Sequence, residues 1–296
     1  MQITAPKLKK FPLEDQLSIC RELADFAREA LEGSQPDGPH DRSGERMILA
    51  VWGRAVSTFD AVLLLGCGRY GDQVGMLARA LFEAAVDAYW IARNPAESQR
   101  LATLHFRQTR LLVAENWNEH ERRDGDPVLP LFDEDIRDRA ELAKFFGSKG
   151  QKHWTRLGLP DRIAAVDELV PQEQEGELRA RYENDNKLAN LLLHGSPMAL
   201  NDRINETNLG KATIQIGASA QHLANGLQHA YWSYQRLVHL VCQRRAPKAA
   251  PRVEELYILG WPLLQTITAP ALKRAGRNGR CPCGSGRKVK DCHGRW

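Results

Sequence analysis

Apolar residues return every three or four positions through most of the first 270 residues, and no Val/Ile/Thr-rich run alternates with polar residues as a half-buried strand would. That period predicts helices whose apolar stripes face a common core. The helices are expected at 13–31, 45–66, 70–93, 95 to about 123, 133–146, 161–170, 173–194, about 209–245 and 253–268. Their ends carry breakers. GSQPDGPHDRS at 33–43 reads as a turn-rich loop, Pro95 follows the third helix, DGDPVLP at 124–130 ends the fourth, and Gly195 and Pro197 close the 173–194 segment. The expected fold class is all-α, a multi-helix bundle.

Composition excludes the main alternatives. With 43% hydrophobic and 26% charged residues, the 296-residue chain is neither disordered nor collagen-like, and it is long enough for one large domain or two ordinary ones. The most apolar stretch, 47–66, is interrupted by Arg54 and Asp60, so no membrane span is expected. MQITAPKLKKFPLEDQL lacks the apolar core of a secretory signal, which places the protein in the cytoplasm as an expectation.

Cysteine is unevenly used. Cys20, Cys67 and Cys242 each stand alone in apolar helical pattern, where a free cysteine acts as a small buried hydrophobe. The other three crowd into CPCGSGRKVKDCH, giving Cys281, Cys283, Cys292 and the adjacent His293. In a cytoplasmic chain such crowding argues for metal over disulfides. Three thiolates and one imidazole complete a zinc tetrahedron with no position left for a reacting water, which makes the site structural. Arg280, Arg287, Lys288 and Lys290 favour the thiolate forms electrostatically. Charge is concentrated in the same place. Residues 273–296 hold eight of the 41 basic residues and one of the 37 acidic ones, a net +7, which leaves 33 against 36 and a net −3 before them. An acidic or polyanionic partner therefore meets the tail first.

The segment RNGRCPCGSGRKVKDCHG resembles the SEC-C motif, the zinc knuckle at the C-terminus of the SecA preprotein translocase ATPase that is also appended to many unrelated bacterial proteins. The resemblance implies that Cys281, Cys283, Cys292 and His293 hold one structural Zn2+. In the translocase the knuckle docks a chaperone and the ribosome, which implies a docking role toward a protein, ribosome or nucleic-acid partner. Val289 stands where an aromatic is common in that motif, and Asp291 where a lysine is common. The organisation then reads as an N-terminal helix and flexible loop at 1–44, a helical bundle at 45–245, a linker (APKAAPR) with a short helix at 246–276, and the knuckle at 277–296.

Two arrangements in the body invite a chemical reading. Arg79, Glu83 and Asp87 recur every four residues on an apolar helix, where charges need partners; Arg79 and Glu83 suit each other, with Arg107, Arg110 or a histidine as further candidates. Tyr182, Asn186, Asn190 and His194 form a second four-residue stripe, ending at a helix terminus where a histidine serves as a cap. His105 and His153 lie beside apolar or aromatic neighbours and read as structural. RALFEAAVDAYWIARNP, HWTRLG and NLLLHGSPMAL together resemble an uncharacterised bacterial helical family catalogued as domain of unknown function 5677, over roughly 45–245. Its Arg-x3-Glu, Trp-Ser/Thr and Ser-x3-His-Gly/Pro-Ser-Pro segments map onto Arg79 and Glu83, Trp154 and Thr155, and Asn190, His194 and Ser196, with Asn190 in place of serine.

Three functions fit these features. One is an adaptor, its helical body coupled to a docking knuckle. A second is a metal-independent RNase of the HEPN type centred on His194 with Asn190, which lacks the motif's own arginine unless Arg79 supplies it from another helix. A third is a metal hydrolase built from Glu83, Asp87, His105 and His194. The adaptor reading needs no active site, and the closed metal shell and basic tail favour it.

Overall fold

The computed structural model describes residues 8–9, 13–32, 43–150, 152–169, 177–187, 189, 204–206, 212–214, 218–219, 222–264, 267–268, 276–279 and 288. They are predominantly helical, as the apolar period requires. Helix α1 spans Leu13–Leu31, with Glu14 and Asp15 in its first turn and Arg28 in its last, each matched to the helix dipole. Helices α2 (Ser43–Cys67), α3 (Gly71–Arg93) and α4 (Pro95–Asn116) follow, and a π-helical turn at Trp117–Glu121 ends α4. Next come α5 (Asp133–Arg137), α6 (Arg139–Phe146), α7 (Leu159–Val166) and α8 (Glu177–Arg181), the last continued by a second π-helical turn at Tyr182–Asn186. Helices α9 (Leu223–Arg245) and α10 (Ala250–Leu264) complete the helices among the described residues.

Several boundaries differ from the sequence expectation, each for a local reason. The 133–146 helix is broken at Asp138, whose carboxylate accepts a hydrogen bond from Arg107 Nη2 at 2.8 Å and leaves the helical path. The long helix expected from about 209 begins only at Leu223. Before it, strands β2 (Ile204–Glu206) and β3 (Ala212–Ile214) pair antiparallel with Ile204 opposite Ile214, and the β-branched Thr213 and Ile214 suit the ribbon better than a helix. A second ribbon pairs β1 (Leu8–Lys9) with β4 (Ile267–Thr268), so the described residues are all-α apart from two minimal β-ribbons. The stretch 246–252, read as a linker, is a turn at 246–249 followed by the start of α10, with Ala250 buried. Of the three isolated cysteines, Cys20 and Cys242 are buried as expected. Cys67 is exposed and accepts a hydrogen bond from Arg21 Nη2 at 3.1 Å.

The chain divides into two compact units, residues 1–35, 49–88 and 177–296 in the first and 36–48 and 89–176 in the second. The first is organised around α9, which is buried from Leu227 to Cys242 apart from Gln228. Trp232, Tyr231, Tyr234 and Leu237 are essentially inaccessible. Tyr234 stacks on Phe59 of α2 with ring centroids 4.2 Å apart, Trp232 lies 6.2 Å from Phe82 of α3, and the Tyr231 hydroxyl donates to Leu256 O of α10 at 2.6 Å. Such complete burial explains why α9 lacks a clean amphipathic pattern. Arg236, also fully buried, pairs with Glu254 at 3.3 Å.

In the second unit the organising feature is ionic. Asp135, with a side chain 1% exposed, accepts hydrogen bonds from Arg107 Nε at 2.8 Å and Arg110 Nε at 2.7 Å, and Arg110 lies 3.8 Å over the Phe132 ring. Asn118 clamps the segment after the π-turn, donating to Leu129 O and accepting from Leu129 N at 2.9 Å each. By length and composition the part of α2 from Gly44 to Cys67 is long and apolar enough to cross a membrane, and 22% of its most apolar window is buried. Arg54 and Asp60 interrupt it, and Asp60 pairs with Arg28 of α1, while Ala55, Phe59 and Val62 enter the core of the first unit.

Candidate functional site

Helix α9 begins at His222, which sits in the left-handed region (φ 61) and supplies no side-chain cap to the helix. No acidic residue occupies the first turn, so the positive end of the helix dipole has no carboxylate of its own there. Counting forward, His222, Asn225, Gly226 and His229 recur at three, four and seven residues and share one face. That face borders a small, largely apolar cavity, partly open to solvent, with Gly75 and Ala78 of α3 and Asp185 and Ala189 also at its wall. Small residues make the opening possible. A Cβ on Gly226 would stand 2.9 Å from Val74 Cγ1 and 3.0 Å from Gly75 N, so α3 and α9 approach closely at this point.

His229 is 2% exposed, and neither ring nitrogen finds a hydrogen-bond partner among the described residues. Its ring packs against Phe82, centroids 5.3 Å apart, and its Nδ1 lies 3.8 Å from Asp185 Oδ2, beyond hydrogen-bond reach. Burial disfavours the imidazolium and, with Arg181 nearby, outweighs Asp185, pulling the pKa from 6.5 down to about 4. His229 is therefore a neutral ring with one donor and one acceptor at neutral pH. Asp185 Oδ2 accepts from Arg181 Nη1 at 2.7 Å, and the Arg181 guanidinium lies 4.4 Å over Trp261 and 5.6 Å over Trp232. Oδ1 of Asp185 is left as an acceptor on a side chain 23% exposed.

The sequence-derived candidates fare unevenly against this geometry. Arg79 and Glu83 form the expected ion pair, Nε to Oε1 at 2.7 Å, both partly buried on α3, but they lie further round that helix and do not line the cavity. Arg107 and Arg110 do not serve them, being committed to Asp135, with Asp138 and Glu134 as further partners. His105 packs edge-on against Phe146 at 5.1 Å, the structural role expected of it. Asn190, His194 and Ser196 lie outside the described residues, as do Cys281, Cys283, Cys292 and His293. Among the described residues no three His, Cys, Asp or Glu side chains gather as metal ligands, and the set Glu83, Asp87 and His105 finds no support there.

The stripe of Tyr182, Asn186, Asn190 and His194 rested on an unbroken α-helix. The π-turn over Tyr182–Asn186 adds a residue to the turn and moves the face, so Asp185 and Ala189 border the cavity while Asn186 is buried with its Oδ1 unpaired. Asp185, His222, Asn225 and His229 were missed. The four-residue step of Asp185 and Ala189, and the His-x2-Asn-x3-His spacing of α9, are the signals that would have found them.

A helical body with a buried histidine at a small cavity, continued by a cysteine-rich basic tail, defines an all-α protein with an appended C-terminal module. A family model described as a family of unknown function, DUF5677, matches residues 45–212, more than half of the chain, and the chain belongs to that family. The SEC-C motif model matches residues 277–295. A curated relative, the protein translocase subunit SecA of Paraburkholderia phymatum, is 32% identical over 88 residues, 29% of this chain, and the match includes the SEC-C region. The matched segment covers 9% of that subunit's length. No solved structure matches the chain. The DUF5677 match ends at 212, short of the 245 expected from sequence, so it includes Asp185 and Ala189 but not α9.

Proposed function

We propose that this chain is a zinc-dependent adaptor, in which the DUF5677 body is coupled to a C-terminal knuckle that docks a protein, ribosome or nucleic-acid partner. The observation that carries this reading is the SEC-C match at 277–295, which contains Cys281, Cys283, Cys292 and His293 in one short segment. The donor set fits zinc: three thiolates and an imidazole satisfy a tetrahedral ion without an open position. When bound, the ion supplies folding energy to a segment with too little apolar content to fold by burial, on the order of 10–16 kcal/mol in zinc-finger peptides. The net +7 of residues 273–296 suits an acidic or polyanionic surface.

Zinc analysis and co-sedimentation test the two halves separately. The purified full-length chain is expected to hold one zinc equivalent, lost on Cys281→Ser with Cys283→Ser. Ribosome co-sedimentation is expected at low salt, to weaken steeply as salt rises, and to disappear in a chain ending at Ala275. A metal-free wild type, or a shortened chain that sediments as well as the full one, overturns the adaptor.

A further inference from the structure

The described residues that line the cavity beside α9 all belong to the helical body, and its two ends differ in charge preference. One end is the N-terminus of a 23-residue helix with neither a side-chain cap from His222 nor an acid in the first turn, an arrangement that attracts an anion. The other end holds Asp185, whose Oδ1 remains an acceptor. Between them stands His229, almost wholly buried, its ring nitrogens without hydrogen-bond partners among the described residues. A buried polar group in that state is costly unless something completes it, and His229 borders the cavity. The Asn225 and His229 positions are four residues apart, or about 6 Å along the helix axis. Gly75, Ala78 and Ala189 line the stretch between the charged ends with little more than backbone and methyl groups, an apolar wall suited to methylenes.

We propose that this cavity binds a small zwitterion. The ligand carboxylate sits at the α9 N-terminus beside His222 and Asn225, its ammonium on Asp185, and the neutral His229 ring hydrogen-bonds within the site. Arg181 balances the charge of Asp185 and holds it in place through a 2.7 Å bond, so the ammonium meets an oriented oxygen. The axial spacing favours an ω-amino acid over glycine. No bond is made or broken, and the site senses a ligand without transforming it.

The test uses the full-length chain with glycine, β-alanine, γ-aminobutyrate, butyrate and butylamine as probes. γ-Aminobutyrate is expected to raise Tm by about 2–4 °C when present well above its Kd, and to bind at least about tenfold more tightly than butyrate or butylamine. Asn225→Asp places a carboxylate in the first turn at an exposed position. It should leave the unliganded Tm unchanged or higher and weaken γ-aminobutyrate binding about tenfold or more. Ala189→Leu, which narrows the cavity, should also abolish binding. In the wild type, ligand addition should shift the His229 ring nitrogen resonances. Absence of a Tm or resonance shift with every zwitterion at millimolar concentration overturns the site, as does undiminished binding by Asn225→Asp. Equal binding of butyrate would show that Asp185 does not read an ammonium, and the proposal would fall.

Discussion

Acidification should destabilise the first unit through His229 in a way that removing its imidazole abolishes. The ring is buried with its pKa lowered from 6.5 to about 4, chiefly by desolvation; Arg181 acts in the same direction and Asp185 at 3.8 Å opposes them, while Phe82 contributes no charge. Between those two values the unfolded chain binds a proton that the folded one refuses, so stability rises with pH through the window and is lost as pH falls through it. At pH 5 the unfolded histidine is almost fully protonated and the folded one about a tenth so. The resulting loss relative to pH 8 is about 2 kcal/mol, or about 4–8 °C in Tm for a unit of this size. Carboxylates add their own acid dependence, and His229→Phe serves as the reference because it keeps the contact with Phe82 and cannot titrate. Thermal unfolding of both proteins at pH 8 and pH 5 should show the wild type losing about 2 kcal/mol more than the variant. Parallel pH profiles, or an NMR titration of the His229 ring with its midpoint near 6.5, would refute the reasoning.

Three further predictions concern charge, packing and helix propensity. Asp135→Ala removes the buried carboxylate between Arg107 and Arg110 and should cost about 3–5 kcal/mol in urea unfolding, since two guanidinium groups lose their shared partner; a loss under about 1 kcal/mol would show the cluster to be effectively solvated. Gly260→Ala places a Cβ 2.4 Å from the Tyr231 hydroxyl oxygen and 2.6 Å from Ile19 Cγ1, and should destabilise by about 1–3 kcal/mol. Gly53→Ala, with nothing within 4 Å, should stabilise α2 by about 0.5–1 kcal/mol in the same assay.

The helices were legible where one face is buried and the other is wet. The span expected for α1 coincides with the observed Leu13–Leu31, and α3 is off by one residue at its start, because their apolar spacing and flanking breakers agree. Legibility failed where an interaction distant in sequence sets the local path. Asp138 leaves its helix for Arg107, thirty-one residues away, and no pattern within 133–146 announces this. The π-turn at Tyr182–Asn186 shows the same limit at the site: one added residue moves Asp185 onto the cavity, where the regular α-helix expected over this stretch does not place it. Among the body candidates, Arg79 and Glu83 were readable as a pair because both lie on one helix. His229 was not, since its isolation depends on what α3 and the 185–189 segment place around it.

The boundary of the DUF5677 match is therefore not a folding boundary. It stops at 212, yet three of the first unit's fully buried aromatic residues, Tyr231, Trp232 and Tyr234, lie on α9 beyond it. Phe59 of α2 and Phe82 of α3, both inside the match, have as partners Tyr234, Trp232 and His229. A chain cut at 212 would expose both rings to water and lose stacked and tilted aromatic contacts together with their buried area. The cavity follows the same division: Asp185, Ala189, Gly75 and Ala78 come from the matched region, while His222, Asn225 and His229 do not. Family membership thus accounts for one wall of the site, and the ligand preference proposed for it depends on a helix that the match does not include.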